Sequence, residues 1–286
     1  MKISTQIASQ GTLRGTLQGT LFVAALLFSA VTFATDDRWD ELKSGMFGDK
    51  TIMEDGNVIA IEAPSRAHDA ATVPITVKAL DPVRQLKTVH LVVDQNPAPI
   101  AGTFKFTEAA GLWRSLETRI RINEYTNVRA IAELEDGSLH MAQSFVKASG
   151  GCSAPAMADM EAAMARAGKM KVLLDKINDV DGEQHASAVI KISHPNNSGM
   201  QFDQVSRNYI PAFFVHTIGA EMNGKPLLTV ETNFSLSENP VVRLEFSPQD
   251  AEGELRVYSV DSKGGESEKI TQFAGDYTAT GSSGVN

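Results

Sequence analysis

Leu116-Glu117-Thr118-Arg119-Ile120-Arg121-Ile122 changes character at every step. Leu116, Thr118, Ile120 and Ile122 alternate with Glu117, Arg119 and Arg121. Successive side chains of an extended chain point to opposite faces, so this period of two predicts a half-buried β-strand. The same pattern spreads outward on both sides. Upstream lie Val58–Ala63, then Thr72–Leu80 with Val73, Ile75, Val77 and Ala79 on one face. Lys87–Asp94 is a β-branched run closed by the turn residues Gln95-Asn96-Pro97, and Phe104 and Phe106 follow. Downstream, Val128, Ala130, Ala132 and Leu134 alternate with Arg129 and Glu133, and Asp136-Gly137 turns the chain into Leu139–Lys147. About seven strands with turn residues between them and no long helix predict an antiparallel sandwich of immunoglobulin type.

A second all-β unit follows. Ala186–Ser193 alternates, His194-Pro195-Asn196-Asn197-Ser198-Gly199-Met200 reads as a long polar loop, and Tyr209–Val215 is an apolar run. Asn223-Gly224 is the pair expected of a tight hairpin. Leu227–Thr232, Val241–Ser247, Glu254–Asp261 and Glu266–Phe273 complete the unit, with Lys263-Gly264-Gly265 joining the last two. The expected fold class is all-β, with two immunoglobulin-like sandwich domains over 38–149 and 169–275. Between them, 150–168 holds a cysteine-bearing arm and a short helix. Trp39, Leu42, Met46 and Phe47 stand near helical spacing and predict a further short helix packed on the first domain.

The arm reads Ser149-Gly150-Gly151-Cys152-Ser153-Ala154-Pro155, and Cys152 is the one cysteine in 286 residues. Two glycines before it give a flexible hinge, which favours a mobile, approachable thiol. The competing reading is a buried core cysteine, the usual place of an isolated one. Ala156–Ala167 is rich in Ala, Met and Glu, with Pro155 at its start and Gly168 at its stop, and predicts the linker helix. Met157, Met160 and Met164 at helical spacing read as its packing face. A helix N-terminus close after Cys152 would lower the thiol pKa, while Asp159 and Glu161 would raise it. The direction stays open at this level.

Hydrophobic residues make up 42% and charged residues 21%, with a formal net charge of −9. That balance suits two cores and excludes a nucleic-acid binder, which needs clustered Lys and Arg. Residues 1–34 read as an export signal: Lys2 and Arg14, the apolar run Leu21–Phe28, and a small-residue cleavage site near Ala34. The run is short of the roughly 20 residues that a membrane span needs. The expectation is a cleaved protein without a membrane partner, carrying a charge of −11 (−9 − 2). An unpaired cysteine in an oxidising compartment has no internal disulfide partner, which points to chemistry at Cys152. Residues 276–286 form a Gly-, Ser- and Thr-rich tail, expected to be disordered.

A sandwich ending in Gly150-Gly151-Cys152 resembles the Y subunit of the sulfur-oxidation carrier SoxYZ, whose arm is Gly-Gly-Cys-Gly-Gly. The second half is similar to the Z subunit at His194-Pro195, Ser198-Gly199 and Tyr209-Ile210-Pro211-Ala212-Phe213-Phe214. The whole resembles the fused SoxYZ-like carriers associated with quinoprotein dehydrogenases. This resemblance implies a periplasmic carrier rather than an enzyme. It makes Cys152 the covalent attachment point of a sulfur intermediate, as in thiosulfate oxidation, and Gly150 and Gly151 the arm hinge. The implied partners are periplasmic sulfur-oxidation enzymes or a quinoprotein dehydrogenase system. Ser153-Ala154-Pro155 replaces the trailing glycines, and here the arm is tethered at both ends.

Other motifs carry less. His68, His90, His140, His185, His194 and His216 show no compact zinc spacing, and no cofactor or metal motif is read. Trp39 and Trp113 read as core or interface residues. Two function classes remain. A covalent carrier requires an accessible, reactive Cys152. A non-covalent adaptor that docks a dehydrogenase or cytochrome leaves Cys152 incidental. A thiol-dependent enzyme is the third and weakest.

Overall fold

The computed structural model describes residues 37–81, 86–155, 159–177, 185–247 and 252–273. The expected export signal and tail lie outside them. The first half runs α1 (Asp37–Phe47), β1 (Ile52–Met53), β2 (Ile59–Glu62), β3 (Val73–Ala79), β4 (Leu86–Val93), β5 (Ile100–Phe106), β6 (Trp113–Ile120), β7 (Thr126–Leu134) and β8 (Leu139–Val146). After α2 (Met160–Arg166) come β9 (Met170–Ile177), β10 (His185–Ile192), β11 (Phe202–Asp203), β12 (Asn208–Tyr209), β13 (Val215–Met222), β14 (Lys225–Thr232), β15 (Val241–Phe246), β16 (Gly253–Asp261) and β17 (Glu266–Phe273). The fold is all-β, and each half is an immunoglobulin-like sandwich.

The halves are joined by far more than the linker. One sheet runs β1-β8-β7-β4-β5-β14-β13-β16-β17 and the other β2-β3-β6-β15-β10-β9, so strands of both halves lie in each. Two antiparallel seams make this continuity. At one, Phe104 of β5 faces Val230 of β14. At the other, Leu116 of β6 faces Leu244 of β15. The alternating pattern explains why: β15 buries Val242, Leu244 and Phe246 on the face that meets Leu116 and Trp113, and one hydrophobic cluster spans both halves. Trp113 stacks on Phe106 at 4.7 Å and donates Nε1–H to the Leu86 carbonyl at 3.3 Å. It therefore belongs to both core and seam.

Phe104 tests the seam. It is fully buried, and its ring lies over Gly102, where an added Cβ would come within 2.9 Å of it. Phe104→Ala is expected to cost about 3–5 kcal/mol by urea unfolding, since the ring's removal leaves a cavity the sheets close only in part. A loss under about 1 kcal/mol would contradict a rigid seam.

α1 forms where helical spacing predicted it. Trp39 packs with Val92, Ile131, Leu139 and Met141, and Leu42, Met46 and Phe47 lean on that cluster. The Arg129 guanidinium lies 4.3 Å from the Trp39 ring centre and forks onto the buried Asp94 carboxylate, with both Nε contacts at 2.9–3.0 Å.

α2 is shorter than the sequence predicts. It begins at Met160 because the Asp159 side chain accepts from the Glu161 and Ala162 amides, which caps the helix there. Among the described residues no helix terminus follows Cys152 directly, so the dipole argument for its thiol falls away. Of the methionine stripe, Met160 is half-buried and touches Asn197. Ala163 is the buried residue of α2, Met164 is 42% exposed, and Met157 lies outside the described residues.

Candidate functional site

β6 stops at Ile120, and the chain then changes partners. The Arg121 amide donates to the Ser235 carbonyl at 2.7 Å and the Ile122 amide to the Ala70 carbonyl at 2.8 Å. This stretch forms a rail for the cysteine segment. Gly150 N–H donates to the Asn123 carbonyl at 2.8 Å and Gly151 N–H to the Ile122 carbonyl at 2.9 Å. Gly150 has φ +78°, a conformation that glycine reaches at no steric cost. Gly151 is needed for a different reason. A Cβ there would sit 2.0 Å from the Ala70 carbonyl oxygen and 2.6 Å from that of Ile122.

These contacts seat the segment expected to be the arm hinge. Gly150 and Gly151 lead the chain into a seat instead of loosening it, because the absent side chains permit close backbone approach. Cys152 is accordingly 0% exposed, although its neighbour Ser153 lies in solvent. Burial pushes the Cys152 thiol up from 9.0 to about 11, and the nearby Arg121 cation pulls against that shift. At pH 7 only about one thiol in ten thousand is ionised, so the seated form is a poor nucleophile.

The other wall is the stretch His194–Gln201, which the sequence presents as a polar loop. It is largely buried, and most of its polar groups are paired, though His194 Nε2, Asn197 Oδ1 and Gln201 Nε2 are buried without a partner among the described residues. Ser198 Oγ donates to the Cys152 carbonyl, and Gln201 Oε1 accepts from the Ser198 amide at 2.9 Å. Asn196 accepts through Oδ1 from the Val215 amide at 2.9 Å and donates through Nδ2 to the Leu236 carbonyl at 2.9 Å. His194 Nδ1 accepts from the Asn196 amide at 3.0 Å, and its ring lies 4.3 Å from that of Phe213. Burial lowers the His194 pKa from 6.5 to about 4, so the ring is neutral near pH 7. Asn197 Nδ2 reaches Met160 Sδ at 3.7 Å and ties α2 to this wall.

Arg121 is the residue that alternation misassigns. A continued strand would place it on the charged face with Glu117 and Arg119, yet it is 1% exposed. Its Nη1 donates to the Gly151 carbonyl at 3.1 Å and its Nη2 to the Asn196 carbonyl at 3.4 Å, so one guanidinium clamps the cysteine segment to the opposite wall. Among the described residues no group of three or more His, Cys, Asp or Glu side chains could hold a metal. No helix there is long and apolar enough to cross a membrane. Of the other histidines, His185 contacts Ser247, His140 contacts Asp55 and Ser138, His90 contacts Thr103, and His68 and His216 are exposed.

Family comparison meets this geometry at the cysteine. Residues 43–152 match the model of "Sulfur oxidation protein SoxY", a match that ends on Cys152 itself, and residues 177–272 match "Sulphur oxidation protein SoxZ". The chain is a fused SoxYZ-like protein. These two families support a carrier role in sulfur oxidation. Among solved structures, the sulfur carrier protein SoxY from Chlorobium limicola f thiosulfatophilum is similar at 22% identity and TM-score 0.33, covering 39% of this chain and 92% of that one. A superoxide reductase (neelaredoxin) from Ignicoccus hospitalis is similar at 14% identity and TM-score 0.29, covering 32% and 79%. No curated protein matches in sequence.

In this SoxYZ-like chain the seat is composite. The SoxY half supplies Cys152, its rail at Arg121 and Ile122, and the Ala70 carbonyl that excludes a side chain at position 151. The SoxZ half supplies the wall from Asn196 to Gln201, within its matched residues. Fusion thus keeps the thiol and its cover on one chain.

Proposed function

We propose that this protein is a periplasmic carrier that holds a sulfur-linked intermediate covalently on Cys152 and presents it to partner enzymes. The observation carrying this reading is the SoxY match that ends on the chain's one cysteine. A carrier needs two states: one that shelters the adduct and one that offers it. The seat suits the first. The second requires Gly150–Ser153 to lift from its rail, breaking the hydrogen bonds donated by the Gly150 and Gly151 amides, the Arg121 bond to the Gly151 carbonyl and the Ser198 contact. Each such bond contributes about 0.5–1.5 kcal/mol net, so lifting costs a few kcal/mol and lies within reach of a docking partner. Once lifted, the thiol regains its ordinary acidity and can act as a nucleophile. Export with cleavage near Ala34 belongs to the same reading, and N-terminal sequencing of the mature protein checks it. The partners are enzymes of sulfur oxidation or a quinoprotein dehydrogenase system, with the carrier itself turning over no substrate.

The burial of Cys152 favours a second reading, in which the protein is a non-covalent adaptor docking a quinoprotein dehydrogenase or cytochrome. Replacement of Cys152 separates the two. Cys152→Ser is close in size and leaves the surrounding hydrogen bonds in place. The carrier reading expects a folded, exported protein whose sulfur-oxidising strain loses activity to background. Unchanged activity with Cys152→Ser would establish the adaptor.

A further inference from the structure

The outward face of the six-stranded sheet carries a groove of about 790 Å³ that crosses from one half of the chain to the other. Its charge runs against that of the protein. Five cations line it against two carboxylates, although the whole chain has 35 acidic residues to 26 basic ones. Both carboxylates are engaged: Glu117 pairs with Arg243 at 3.2 Å, and Glu238 accepts from Asn239 Nδ2 at 3.3 Å. The other four cations, Arg119, Lys169, Lys171 and Lys191, are exposed, and among the described residues none of them forms an ion pair. Elsewhere on the same face Lys78 is matched by Glu62.

Strand register sets these cations in a row. β6, β15, β10 and β9 are successive strands. Lys191 of β10 faces Lys171 of β9 on one side and Val241 of β15 on the other. Arg119 follows Thr118, which pairs with Val242 of β15. Two lysines directly opposite each other repel, and an anion laid over them removes that cost. Three strand spacings of about 4.8 Å make the row about 14 Å long, well beyond a single small anion. An extended chain rising about 3.3 Å per residue spans it in roughly four to five residues. The floor is apolar, since Val189 lines the groove at 3% exposure. One end adjoins the wall of the cysteine's seat: Asn239, which lines the groove, accepts from the His194 amide at 3.2 Å.

We propose that this groove docks an extended acidic segment on the surface of the partner protein. The proposal deepens the carrier reading by naming the chemistry of the partner's contact surface, and it rests on that reading for the existence of a partner. Complementary charge of this kind speeds encounter and fixes orientation, and here it would bring the partner to the edge of the seat.

The test uses a fluorescein-labelled hexaglutamate peptide as probe, read by anisotropy at about 20 mM salt, where screening is weak. Binding is expected, with a loss of affinity of about 10-fold or more by about 200 mM salt and in the double variant Lys171→Glu with Lys191→Glu. Lys225→Glu, an exposed site on β14 in the other sheet, is expected to change it less than about 2-fold. Melting temperatures check folding. Should the glutamate pair fail to fold, Lys171→Gln with Lys191→Gln decides, with an expected loss of about 3-fold or more. No binding by the wild type, or an equal loss in Lys225→Glu, would overturn the proposal. Displacement by phosphate beyond that by chloride at equal ionic strength would overturn it in favour of a small-anion site. Salt-sensitive self-association that the double variant abolishes would overturn it in favour of a second copy of this chain. The peptide does not involve Cys152, so Cys152→Ser is expected to bind it unchanged. Peptide binding in the groove with no adduct on the native cysteine would refute the carrier reading alone, and an adduct without peptide binding would refute the groove alone.

Discussion

Gly151→Ala is expected to release the thiol. The new methyl carbon would stand 2.0 Å from the Ala70 carbonyl oxygen, a backbone atom with no rotamer to escape through. Either the segments carrying the Ala70 and Ile122 carbonyls part or the cysteine segment lifts. Overpacking of this kind costs about 1–3 kcal/mol where the structure yields, and more where it does not. Lifting exposes Cys152 and returns its thiol from about 11 toward 9.0, which raises the thiolate fraction near neutral pH about 100-fold. Alkylation by iodoacetamide at pH 7.5 is expected to accelerate by at least that factor. Gly150→Ala, where an added Cβ meets no atom within 4 Å, should give a much smaller effect from its φ of +78° alone. Equal, slow alkylation of wild type and Gly151→Ala would contradict the seat.

The second large effect is a dependence of stability on alkaline pH. Folding raises the Cys152 pKa, so the protonated thiol is the form the native state prefers. That preference leaves stability intact below the unfolded value near 9 and erodes it as pH climbs through about 11. A rise from 9.0 to about 11 corresponds to about 3 kcal/mol at most. Urea unfolding between pH 8 and 11 is expected to show wild type losing stability faster than Cys152→Ser, the difference between them growing with pH. Parallel curves would mean that the thiol is already open to water in the native protein.

The strands were legible because they repeat a simple physical rule. Leu116–Ile120, Val73–Ala79 and Glu254–Asp261 each carry the alternation that one buried and one wet face demands, and each forms a strand. The seams were harder to see, since nothing in the composition of β5 or β15 marks the partner strand as coming from the other half. The site was legible only as Cys152. Arg121 was hidden by the very alternation that revealed β6, because the strand ends one residue before it and the backbone turns to Ser235. His194–Gln201 was hidden by its polarity: Asn and Ser predict solvent unless their groups satisfy one another, which takes three-dimensional placement. One signal was present. From His194 to Gln201 there is no Lys, Arg, Asp or Glu, an unusual run for a surface loop in a chain with 21% charged residues. The pair Gly150-Gly151 shows how one residue type serves opposite ends, since the lack of a side chain that loosens a free arm also admits the close packing seen at Gly151.

The most direct test of the central claim is the intact mass of the mature protein, purified from its native host without reductant beside a reductant-treated sample and Cys152→Ser. The carrier account predicts a reducible mass increment confined to Cys152, present in the untreated wild type and absent from the other two. An unmodified mass in every sample, with wild type and Cys152→Ser equally active, would contradict it.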